Sequence, residues 1–112
     1  MPKKRVLILD GDPRITDIWV RIIEKVPRNR VIFKAKRLSE ALEILKERAI
    51  DILITDNPQI IFSQNCPKTT ILNPDSSLYS LPPKSFLSGI YMLQRPFGIE
   101  EARELLYPKK EM

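Results

Sequence analysis

Two patterns alternate along the chain. Short, near-continuous apolar runs, Val6-Leu7-Ile8-Leu9 and Ile52-Leu53-Ile54-Thr55, each end in an aspartate, Asp10 and Asp56. Unbroken apolar runs of this length are what a parallel strand covered on both faces requires. Thr69-Thr70-Ile71-Leu72 and Ile90-Tyr91-Met92-Leu93 carry the same pattern less strongly. Val31 to Lys36 differs, because Lys34 and Lys36 fall on one face. That spacing predicts an edge strand, where lysines discourage pairing with another chain. The second pattern is amphipathic. Ile15, Ile18, Trp19, Ile22, Ile23 and Val26 follow helical spacing, with Asp12 at the N-cap, Pro13 at the first helical position and Pro27 closing the run. A second helix is predicted from a Ser39 cap, with Ala41, Leu42 and Leu45 inward and Glu43, Lys46, Glu47 and Arg48 outward. A third follows Gly98, with Ile99, Ala102, Leu105 and Leu106 on one side and Pro108 as its stop.

The predicted order is β-α-β-α-β, an irregular stretch, β, a second irregular stretch, β and α. Strands alternating with helices imply a parallel sheet with right-handed crossovers. Residues 57 to 68 are bracketed by Pro58 and Pro67, which leaves room for two helical turns at most. Residues 73 to 89 contain Pro74, Pro82 and Pro83, and no regular helix runs through consecutive prolines. The same stretches hold Ile60, Ile61, Phe62, Leu78, Tyr79 and Phe86. Either the loops pack these side chains onto the sheet, or part of a face is exposed, and a large exposed apolar patch marks an interaction surface. The expectation is a surface for a protein partner or a second copy of the chain.

The 112 residues fit one domain, 1–112. Hydrophobic residues at 43% and charged residues at 29% are those of a folded globular chain. Apolar runs extend for only a few residues, far short of the ~18 that a membrane helix needs. The basic start, Met-Pro-Lys-Lys-Arg, leads into a strand pattern and not into a signal core, so a cytoplasmic protein is expected. With no histidine and a single cysteine, Cys66, the chain excludes an internal disulfide, a Cys-His pair, a Ser-His-Asp triad and a Cys/His zinc cluster of its own. No enzymatic activity is expected. A net charge of +5 admits a nucleic-acid partner, although a solvated basic surface accounts for it more simply.

The strand ends bring together the chemistry. In an open α/β sheet, ligands bind beyond the carboxyl ends of the strands, and those ends carry Asp10, Asp12, Asp56, Asn73 and Arg95. Four segments follow one another over nearly the whole chain: Val6-Leu7-Ile8-Leu9-Asp10-Gly11-Asp12-Pro13, Ser39-Glu40-Ala41-Leu42-Glu43-Ile44-Leu45, Asp51-Ile52-Leu53-Ile54-Thr55-Asp56 and Arg95-Pro96-Phe97. In these segments and their order the sequence resembles the receiver domain of two-component response regulators. It implies a five-stranded parallel sheet in the order 2-1-3-4-5 within a three-layer, flavodoxin-like sandwich, here with the third and fourth helices shortened or missing.

Carried over residue by residue, the resemblance makes Asp56 phosphoacceptor-like and Asp10 the first acidic position of a Mg²⁺ site. Gly11 stands where a second, metal-ligating acid belongs, and Asp12 follows one residue late. Asn73 falls at a switch serine or threonine, and Arg95 replaces a phosphate-contacting lysine, a non-conservative exchange. An ion pair of Arg95 with Asp10 is expected to stand in for the metal. Mg²⁺ is a cofactor only if this acidic site functions; no other is expected. The pattern indicates a degenerate receiver, a signalling module acting by protein–protein interaction without conventional Mg²⁺-dependent phosphorylation. Two further readings stay open: an active receiver phosphorylated on Asp56, and a small basic nucleic-acid-associated regulator. The sequence also leaves open whether the chain stands alone or is part of a longer regulator.

Overall fold

The computed structural model describes residues 4–25, 30–57, 59–60, 67, 69–73, 90–93 and 98–106. The apolar runs form strands β1 (Lys4–Leu9), β3 (Ile52–Thr55), β4 (Thr69–Leu72) and β5 (Ile90–Met92), and the lysine-bearing run forms β2 (Arg30–Ala35). All pair in parallel, in the order β2-β1-β3-β4-β5. The order 2-1-3-4 is the one expected from the sequence, and β2 is the edge that its lysines indicated. Val6, Leu7 and Ile8 have no exposed surface, as an inner strand of a two-sided sheet requires. Asp51 fastens the entry to β3: its Oδ2 accepts from the Arg5 N–H, and its own N–H donates to the Arg5 carbonyl, both at 2.8 Å.

Each sheet face has its own core. Helix α1 (Pro13–Glu24) and helix α3 (Ile99–Leu106) share one face, where Trp19, Ile22, Ile23, Ala102 and Leu106 pack on Val6, Ile8, Ile54 and Ile71. Helix α2 (Leu38–Glu47) covers the other, where Ala41 and Leu45 meet Leu7, Leu9 and Leu53. Asp12 caps α1 as expected, and Pro13 opens it without losing a hydrogen bond. Ser39 does not cap α2. Arg37 is its N-cap residue, and the Glu40 carboxylate reaches back to accept from the Lys36 and Arg37 N–H groups at 2.9 and 3.1 Å. These two bonds hold the Glu40 carboxyl below the usual glutamate range.

Three residues expected to face inward do not. Ile18, Leu42 and Ile99 are 42%, 38% and 51% exposed. The fully buried face of α1 is set by Thr16, Trp19, Ile22 and Ile23, and at ~100° per residue Ile18 lies about 110° from its centre. Ile60 corrects the expected interaction surface. It is buried in the α2-side core, carried there by a turn in which the Asn57 Oδ1 accepts from the Gln59 N–H at 2.9 Å. At this point the loop packs onto the sheet. Ile61, Phe62, Leu78, Tyr79 and Phe86 lie outside the described residues, as do most positions of the expected third and fourth helices.

Candidate functional site

Strand register assembles the site. Leu9 pairs with Thr55, Thr55 with Leu72, and Leu72 with Met92. One residue further along each strand therefore stand Asp10, Asp56, Asn73 and Leu93, a single row at the carboxyl edge. Backbone bonds extend the ladders into this row: the Asp10 N–H donates to the Ala35 carbonyl at 3.0 Å, the Asn73 N–H to Thr55 at 2.7 Å, and the Leu93 N–H to Leu72 at 2.8 Å. Side chains alternate along a strand. Asp10, Asp56 and Asn73 thus continue the face of Ile8, Ile54 and Ile71, the side of α1 and α3. Three residues singled out in the sequence are brought into one line by this arrangement.

Their environments differ. Asp10 is 4% exposed, and its Oδ1 accepts from the Asp12 N–H at 2.9 Å, which ties it to the turn before α1. Asp56 is half-buried. Asp12 is engaged at the helix start. Its Oδ1 accepts from the Arg14 N–H at 2.9 Å and from Arg14 Nε at 3.3 Å, while its Oδ2 forms an ion pair with the Arg14 guanidinium at 3.1 Å. The hydrogen bond to Asp12, reinforced by its charge, raises the Arg14 pKa. Gly11 is exposed and presents no side chain to the row. Among the described residues a Cβ built there would meet only the Lys36 carbonyl, at 3.9 Å, which leaves room for a side chain.

Asn73 is a core residue. It has no exposed surface, its Oδ1 accepts from Trp19 Nε1 at 3.2 Å, and its Nδ2 donates to the Leu93 carbonyl. It joins α1 to the segment after β5. Trp19 is likewise fully buried, as its spacing among isoleucines predicts. The contact spans 54 positions and has no signature in local sequence. Arg95, and with it the expected ion pair to Asp10, lies outside the described residues.

Mg²⁺ takes oxygen ligands, one or two of them carboxylates with waters completing an octahedron. Of the acidic positions the resemblance assigns, Gly11 supplies no ligand and Asp12 is committed to Arg14 and the α1 cap. Among the described residues no three acidic or thiol side chains converge on one point. The described residues do not fit the metal site that the resemblance implies.

No family model matches the sequence, and no curated protein matches it. A solved structure does. The signal receiver domain of an HD domain-containing protein from Pseudomonas fluorescens Pf-5 superposes with a TM-score of 0.72, over 94% of this chain and 92% of that one, at 20% sequence identity. The chain has the fold of a signal receiver domain. The row at its carboxyl edge therefore occupies the end of the sheet where that fold gathers strand-end side chains.

Proposed function

We propose that the chain is a receiver-like signalling module that works by protein–protein recognition, without conventional Mg²⁺-dependent phosphorylation of Asp56. The observation that carries this reading is the state of the second acidic position. Gly11 has no carboxylate, and the neighbouring Asp12 is used by both of its oxygens to start α1 and hold Arg14. Asn73 supports the same reading, since its amide is spent inside the core between Trp19 and Leu93. A hydroxyl that exchanges partners cannot be replaced by a carboxamide bonded at both ends and shut off from water. A scaffold that keeps the fold and immobilises the reactive edge is suited to presenting a fixed surface.

Intact mass after incubation with acetyl phosphate and Mg²⁺ tests the reading, with Asp56→Asn as control. The expected result is an unmodified, folded chain. A phosphoryl adduct that is absent from the control would overturn it in favour of an active receiver. That alternative is favoured by one observation, the register that sets Asp10 beside Asp56.

A further inference from the structure

The outer edge of β2 offers a peptide backbone a place to bind. The Ala35 carbonyl points to β1, where it accepts from the Asp10 N–H. Backbone groups of successive strand residues point to opposite sides. The N–H and C=O groups of Ile32 and Lys34 therefore point away from β1, and β2 has no neighbour on that side among the described residues. Lys34 and Lys36 are exposed and share a face, and neither ammonium has an ion pair among the described residues. They form the strand wall of an open cleft of about 450 Å³, whose helix walls carry Pro13, Thr16, Asp17 and Glu40.

We propose that this edge docks an extended acidic segment of a partner protein, which adds a strand alongside β2 and sets carboxylates at alternate positions against Lys34 and Lys36. Strand addition takes its affinity from main-chain bonds and its specificity from every second side chain. Charge selects the occupant. A second copy pairing through β2 would bring Lys34, Lys36 and Arg37 of each chain together, which like-charge repulsion opposes. A nucleic-acid backbone carries no peptide N–H and C=O groups and would leave the strand's pattern unmatched. An acidic peptide satisfies both the pattern and the lysines.

This inference rests on the protein-recognition reading and gives it a partner chemistry. The test is fluorescence anisotropy with a labelled eight-residue peptide of alternating glutamate and valine. Saturable binding is expected. The Lys34→Glu/Lys36→Glu variant, whose two sites are exposed and whose fold circular dichroism checks, should weaken it about tenfold, and an alternating lysine-valine peptide should recover binding to that variant. Methylating alternate amides of the glutamate peptide should abolish binding without touching the protein. No binding at millimolar peptide, or equal binding of the methylated peptide, would overturn the proposal. So would tighter binding of a single-stranded oligonucleotide at physiological salt, or a dimer in solution that the charge reversal disperses. Phosphorylation of Asp56 would overturn the broader reading and leave the peptide result standing, so the two failures are distinguishable.

Discussion

Replacing Asn73 with alanine is expected to be among the costliest single changes in this chain. The side chain has no exposed surface and bridges Trp19 Nε1 and the Leu93 carbonyl. Truncation removes the acceptor of one buried donor and the donor of one buried acceptor. Each buried polar group left without its partner costs about 1–3 kcal/mol, and the void adds to this. A total of about 3–5 kcal/mol follows, against the 5–15 kcal/mol that holds a typical domain folded. Trp19 is the chain's one tryptophan, so its fluorescence reports urea unfolding directly. With a urea slope of about 1–1.5 kcal/mol/M for a domain this small, the midpoint should fall by roughly 2–5 M. Asn73→Thr keeps a polar atom too short to span both partners and should fall between the two. A double-mutant cycle with Trp19→Phe, followed by circular dichroism, should give a coupling of about 1 kcal/mol or more. A loss below about 1 kcal/mol for Asn73→Ala, or additive behaviour in the cycle, would refute the assignment of Asn73 as a structural joint.

Three other outcomes follow from the same edge. Asp12→Ala should lose about 1 kcal/mol of stability in urea unfolding while Asp12→Asn stays near the native value, because an amide still caps α1; equal losses in both would point to a need for the charge itself. Gly11→Asp should fold with stability within about 0.5 kcal/mol of native, since the space is open and the backbone there is not left-handed; on the proposed reading it should also raise Mg²⁺ affinity measured by calorimetry, and unchanged affinity would mean that the absent acid is not what the site lacks. Glu40 is held below the usual glutamate range by two backbone N–H groups. A depressed folded-state pKa contributes stability that is present above the unfolded-state value and lost as pH falls through the folded one, so the Tm advantage of the native chain over Glu40→Gln should be present at neutral pH and vanish in acid; an advantage independent of pH would refute it.

Much of the fold was legible because its signals are local. Four apolar residues and an aspartate suffice to mark β1 and β3, and Asp12-Pro13 marks the start of α1 to the residue. Lysines at 34 and 36 mark β2 as an edge strand, and it is one. What failed was finer. Helical spacing admits a stripe wider than the surface a sheet can cover, so it groups Ile18 with Trp19 although of the two Trp19 alone reaches the core. Ser39 has the residue type of a cap, but Glu40 supplies the needed acceptor from inside the first turn. In the candidate site, register made Asp10, Asp56 and Asn73 neighbours as expected. The partner of Asn73 was invisible, because nothing in positions 69 to 73 encodes a tryptophan on a helix 54 residues earlier.

That long-range bond also bears on why a chain would keep this fold at only 20% identity to a solved receiver domain. A phosphorylation switch needs an edge whose groups exchange partners between two states that differ by a few kcal/mol. Here the edge is tied down at successive points. Asp10 holds the turn before α1, Asp12 holds the helix start, and Asn73 bolts α1 to the end of β5. Turning such an equilibrium from one state to the other takes roughly 5 kcal/mol of differential binding, and a rearrangement that parted Asn73 from Trp19 and Leu93 would add to that demand. On the proposed reading, the stability lodged at this edge favours one shape, and the surface that shape presents, with the lysine-lined edge of β2 beside Asp10, carries the function.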